Sequence, residues 1–171
     1  MSRFRQCLAA AILALALAPA ALAADIDDLP NPLATVRVGQ WLEYRHNTVF
    51  GSAEQRQKIT AVVGEGDDKV ITTESVMTMD GKVVDEREES ITYGAAMDQQ
   101  RESLEGVEGL VISPASIEVK DKTVDGVRVD FTQDEMRFSL YLSDSVPITG
   151  VVRMEVEGSE EPVLELIDFG E

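Results

Sequence analysis

The chain is short of the residues that most enzymatic chemistry requires. It has one cysteine, one histidine and one tryptophan among 171 residues. The cysteine, Cys7, precedes an apolar run and falls within the segment read below as an export signal. The mature chain is therefore expected to lack disulfides, thiolate metal sites and cysteine nucleophiles together. Cys7 also stands too early to be the lipidated cysteine that follows such a run in a bacterial lipoprotein. With His46 alone, a transition-metal site has no second imidazole, and zinc sites use three or four Cys, His or carboxylate ligands. No cofactor is expected.

Positive charge is scarce as well. Fifteen Lys and Arg face 32 Asp and Glu, for a formal net charge of −17. Such a surface repels phosphate backbones and anionic headgroups, so nucleic-acid binding is excluded and solubility is favoured. Long apolar runs are absent beyond the N-terminus. There, Arg3 and Arg5 precede the run Leu8 to Ala18, Pro19 breaks it, and Ala21-Leu22-Ala23 supplies small residues for a signal peptidase. That run is shorter than the ~20 residues a membrane span needs. Residues 1–23 are read as a cleaved signal peptide and residues 24–171 as one domain, periplasmic or secreted, with no membrane span after cleavage.

What the chain does have is alternation. After a turning lead-in at Pro30-Asn31-Pro32, short period-two runs are divided by glycines and acidic clusters, the pattern of antiparallel strands. Strands are expected over 40–49, 54–63, 69–79 and 82–93, with Asp80–Gly81 as a tight hairpin turn. Residues 94–110 break the pattern, and a short helix is expected from Ala95 to Leu104, ended by Gly106. Strands then resume, with a second hairpin expected at Asp125–Gly126. "MRFSLYL" places Met136, Phe138, Leu140 and Leu142 on one face. Two further strands, over 150–158 and 162–170, complete about nine. The fold class is all-β: an antiparallel curved sheet, half-barrel or two-sheet sandwich, with one short helix.

Candidate sites are few. "SDSVPITG" (143–150) offers Ser143 and Ser145 beside Asp144, but no Gly-x-Ser-x-Gly elbow, no lysine three residues on, and no histidine nearer than His46. It reads as a segment that re-aims the chain between strands, with Pro147 and Gly150 shaping the bend. The acidic clusters at 25–28, 65–68, 85–89 and 157–161 lack the D-x-[DN]-x-[DN]-G calcium loop, and they read as solvated turns and edge protection. Any catalytic carboxylate pair must be chosen from 32 acids, a choice that carries no information. If the sheet is curved, Tyr44, Phe131, Phe138, Leu140 and Met154 are the candidates to line an apolar hollow.

The opening "VGQWLEYR", the acidic hairpins and the ending "LSDSVPITGVVRMEVEG…LELIDFG" resemble exported bacterial β-sheet families of uncharacterised function. In these a Ser-x-x-(Val or Ile)-Pro-x-x-Gly segment, here with Pro147 and Gly150, leads into the penultimate strand. The plan is also similar to periplasmic lipoprotein carriers of the LolA/LolB type, whose curved half-barrel sheet holds acyl chains against short helices. The expectation is a non-enzymatic binding or interaction module. It would hold an apolar small molecule or lipid on a curved sheet, or meet an envelope protein at a strand edge. The alternatives are a carboxylate-based hydrolase and a calcium-responsive envelope protein.

Overall fold

A computed structural model describes residues 29–48, 51–104 and 107–171. The expected signal peptide, the acidic cluster at 25–28 and the helix stop at Gly106 lie outside these residues.

The described residues form one antiparallel sheet of nine strands: β1 (Trp41–Thr48), β2 (Gly51–Val63), β3 (Val70–Met79), β4 (Lys82–Thr92), β5 (Glu108–Val119), β6 (Lys122–Gln133), β7 (Met136–Leu142), β8 (Val151–Val156) and β9 (Leu164–Gly170). Their spatial order is β4-β3-β2-β1-β9-β8-β7-β6-β5. Every neighbour is a sequence neighbour except β1 and β9, so the sheet is a curved, unclosed meander whose ends meet at its centre. A sandwich would need two sheets, and these strands form one.

The expected helix is present as α1 (Tyr93–Leu104). It connects the two edge strands rather than covering the sheet. A Cβ on Gly94 would lie 3.2 Å from Asp67, which shows how closely the helix start sits on the short turn Gly66–Asp68. The β4 edge is exposed from Lys82 to Ser90 and carries charge on both faces, which blunts its unpaired backbone groups against pairing with another chain.

The hairpin chemistry at Asp80–Gly81 is as expected. Both residues are left-handed, with φ of 52° and 71°, and Met79 pairs with Lys82 across the turn. The hairpin expected at Asp125–Gly126 is not there. The turn is Lys120–Asp121, with Lys120 at φ 56° and Val119 paired with Lys122. Asp125 and Gly126 lie inside β6, opposite Ser116 and Ala115. Glycine stands at 126 because a Cβ there would meet the Leu142 carbonyl oxygen at 1.9 Å, where β7 ends against the ribbon. Across this glycine the ribbon changes the face it buries. Val124 is buried on one side of it and Val129 on the other, five positions apart and so on opposite faces of the strand.

That change lets the β5–β6 tip fold under the centre of the sheet. Val119 and Val124 join Leu42, Tyr44, Val152 and Leu166 in one apolar cluster. The tip is fastened by Lys120 Nζ on Asp168 Oδ2 at 2.5 Å and by Lys122 Nζ, which donates to the Phe169 carbonyl at 2.7 Å. The lead-in closes the same end. Val36 packs with Ile59 and Ile71, and Lys69 donates to the carbonyls of Leu33 and Ala34.

Candidate functional site

Strand register builds a continuous row on the inner face of the sheet. Ile112 pairs with Val129, Val129 with Leu140, Leu140 with Met154, Met154 with Leu164, Leu164 with His46, His46 with Ala53, and Ala53 with Met79. Beside it Phe131 pairs with Phe138 and Phe138 with Val156. The two phenyl rings are stacked with centroids 5.2 Å apart. Ile112 and Val129 are buried, but Phe131, Phe138, Leu140, Met154, Val156 and Leu164 are each only part-covered. The apolar strip across β6, β7, β8 and β9 is thus only partly covered along much of its length.

Four of the five candidate lining residues meet there: Phe131, Phe138, Leu140 and Met154. Tyr44 does not. It is 2 % exposed and sits in the sealed end of the core among Leu42, Val146 and Leu166. Its phenol donates to the Val151 carbonyl at 2.6 Å and is bonded to Thr149 Oγ1 at 2.5 Å. Since its single proton goes to the carbonyl, the threonine hydroxyl is the donor in that second bond. Burial pushes the Tyr44 phenol well above the usual tyrosine range, with the Thr149 bond opposing weakly. Sequence alternation places Tyr44 on the inner face. That it lies under the loop rather than beside the phenylalanines follows from chain segments more than a hundred residues away.

The loop in question is 143–150. Ser143 N–H donates to the Gly150 carbonyl at 2.8 Å, closing it at its base. Ser143 Oγ donates to the Asp125 carbonyl at 2.6 Å and lies 2.8 Å from Ser145 Oγ. Val146, fully buried, fills the core above Tyr44, an insertion worth about 1.5–3 kcal/mol. Asp144 Oδ1 accepts the Asn31 backbone N–H at 2.7 Å, tying the loop to the lead-in. The segment is a plug for the sheet's lower end. Its serine proton is committed to a backbone carbonyl, and the histidine ring is bonded elsewhere.

That ring belongs to a polar relay that sequence reasoning missed. His46 Nε2 is 2.8 Å from Gln55 Oε1, and Gln55 Nε2 donates to Ser75 Oγ at 2.9 Å. Gln55 and Ser75 are buried although polar, at 6 % and 7 % exposure. Period-two alternation marks all three as inner-face positions once the register is known, but nothing in sequence spacing brings 46, 55 and 75 together.

The outer face is polar. Arg128 binds Asp130 and Ser139 at 2.9 Å each, and Ser139 donates to Asp130 at 2.6 Å. Arg153 pairs with Glu165 at 3.0 Å. A groove of about 480 Å³ lies between these strands and the 157–162 loop, walled by Arg128, Arg137, Glu155 and Glu160. Of these, Arg128 is paired with Asp130 and Glu155 with Arg153, at 2.9 and 3.6 Å. Among the described residues, no three His, Cys, Asp or Glu side chains converge to hold an ion, and no helix is long and apolar enough to cross a membrane. Comparison with protein families, with curated proteins and with solved structures found no match for this chain.

Proposed function

We propose that this protein is an exported, periplasmic or secreted binding module, without catalytic activity, that holds an elongated apolar group such as an acyl chain against the inner face of its sheet. The observation that carries this reading is the part-covered strip Phe131, Phe138, Leu140, Met154, Val156 and Leu164, which lies beside a stretch of the same face that is fully sealed. A part-covered apolar strip beside a sealed core supports a binding surface. The plug and the curled β5–β6 tip close one end of the sheet and leave the other for a ligand. Export is supported by the N-terminal charge, apolar run and small-residue pattern.

Native mass spectrometry of protein purified from its own periplasm, together with titration of a fluorescent polyene fatty acid, tests the reading. Retained lipid is expected, and so is probe binding that Phe138→Asp weakens by tenfold or more, about 1.4 kcal/mol, with the β circular dichroism unchanged. An empty protein that takes up no probe would overturn it.

A further inference from the structure

The plug loop is held in a backbone shape that its sequence does not favour. Among the described residues, the non-glycines with positive φ are Asp80, Lys120, Asp134, Glu135 and Ile148, and Ile148, at 68°, is the β-branched one. That region is a steric outlier for such a side chain. The Thr149 N–H donates to the Pro147 carbonyl at 2.8 Å, so Ile148 is the centre of a three-residue γ-turn of the strained, positive-φ hand. Strain of this kind persists only where the surroundings over-determine it.

Those surroundings come from two directions. Ile148 packs against the cluster of Tyr44, Val146 and Leu166, and also against that of Val36, Ile59 and Ile71. The lead-in supplies Val36 to the second cluster, with Leu33 packed beside it. It also grips the loop directly. The Asn31 backbone N–H donates to Asp144 Oδ1 at 2.7 Å, and the Pro32 ring lies 3.1 Å from where a Cβ on Gly150 would stand. Asn31 Nδ2 donates to the Tyr93 hydroxyl at 2.6 Å, which anchors the same residue to the start of α1. Asn31 Oδ1 is buried with no protein partner. The seated lead-in therefore carries an unmet acceptor beside the strained turn, and both costs are relieved when it lifts.

We propose that the lead-in is a latch on the 143–150 plug. Seated, it holds the strained turn in place. Lifted, it lets Ile148 leave the left-handed region and Val146 withdraw from above Tyr44, so the closed end of the sheet opens in one local step while the strands stay paired. A partner that binds the lead-in acts on the plug through Asn31 and Pro32. The latch operates whether or not the inner face holds an acyl chain.

Site-resolved hydrogen exchange on the purified protein tests the coupling. Asp144→Ala removes the acceptor of the Asn31 N–H, and Asp144→Asn keeps an amide oxygen that accepts it. In the native protein the amides of Ser143, Val146 and Thr149 in the loop and of Ala34 and Thr35 in the lead-in are expected to exchange as one group, faster than those of β2 and β3. Asp144→Ala is expected to speed that whole group about tenfold and leave β2 and β3 within about twofold, whereas Asp144→Asn stays within about threefold of native. Ile148→Gly is expected to exchange about threefold more slowly than Ile148→Ala, since both lose the same packing and only glycine takes positive φ without strain. Loop and lead-in amides that respond separately to Asp144→Ala, or that exchange no faster than β2 and β3, overturn the latch. Slower exchange in Ile148→Ala than in Ile148→Gly overturns the strain that drives it.

Discussion

A Cβ placed on Gly126 would lie 1.9 Å from the carbonyl oxygen of Leu142, inside any possible contact distance. The β5–β6 ribbon can pass the end of β7 only because that atom is missing. Gly126→Ala is therefore expected to destabilise by about 2–3 kcal/mol, at the upper end of overpacking penalties, since the obstacle is backbone rather than a flexible side chain. Urea denaturation measures it. A loss below about 0.5 kcal/mol would show that the ribbon crosses elsewhere.

Tyr44 and Val151 make a second such pair. Tyr44→Phe removes the donor to the part-buried Val151 carbonyl and leaves the Thr149 hydroxyl proton without its acceptor, at an expected cost of about 1–3 kcal/mol. The pH dependence follows from the raised phenol pKa. The folded state holds this proton more tightly than the unfolded chain does. The contribution is whole below the ordinary tyrosine value near ~10 and is lost as pH rises beyond it. Native protein should lose stability above that point faster than the Phe variant. Parallel alkaline profiles would contradict the burial.

At the other end of the scale, Asp168 is held below the usual aspartate range, first by its hydrogen bond from Lys120 and further by the Phe169 N–H and the two lysines' charge. Its stabilising share is present above the unfolded aspartate pKa and disappears as pH falls through the lower folded value. Lys120 is raised by the same bond, so its share persists at neutral pH and fades only above the ordinary lysine range. Asp168→Asn should flatten the acid limb of the stability profile. It should also speed hydrogen exchange at the β5–β6 tip. An unchanged acid limb would remove the clasp from the account.

The plug loop yields a fourth test. Ser143→Ala deletes the donor to the Asp125 carbonyl and should cost about 1–2 kcal/mol, because an acceptor is left unpaired in a nearly closed site. Val146→Ala should cost about 2 kcal/mol or more through the void it leaves against Tyr44 and Leu166. Both variants should keep native acyl-probe affinity, since the plug lies at the sealed end. Thermal and urea melts with a probe titration check the pair. Loss of binding with full stability would assign the loop to the site instead.

Much of the molecule is readable from spacing alone. "MRFSLYL" coincides with β7 from Met136 to Leu142, and "DG" at 80–81 makes the left-handed turn its chemistry demands. The break near Tyr93 is the helix, because local periodicity fails there between strands that both keep it. The same turn logic fails at Asp125–Gly126. A dipeptide reports that positive φ is tolerated, not that it is used, and the glycine answers a steric demand from Leu142. Lys120, with no turn signature, takes φ 56° because Val119 and Lys122 are already paired.

The candidate lining residues divide along the same boundary. Phe131, Phe138, Leu140 and Met154 share a face by alternation within β6, β7 and β8, and register needs only neighbouring hairpins to align them. Tyr44 shares that face but not that fate, because the 143–150 loop closes over it. The relay from His46 to Ser75 needs three strands in register, and a shift of one residue in β2 would turn Gln55 to the outer face.

By itself, then, the amino-acid order determined an acidic, all-β chain of antiparallel hairpins, because charge and period-two alternation act over a few residues at a time. Only the tertiary structure decided that β1 meets β9, that the ribbon beyond Gly126 buries its other face, and that one end of the inner surface is sealed while the other is only part-covered. Those outcomes depend on backbone contact between segments distant in sequence, where sterics and register act together and no local pattern records the result.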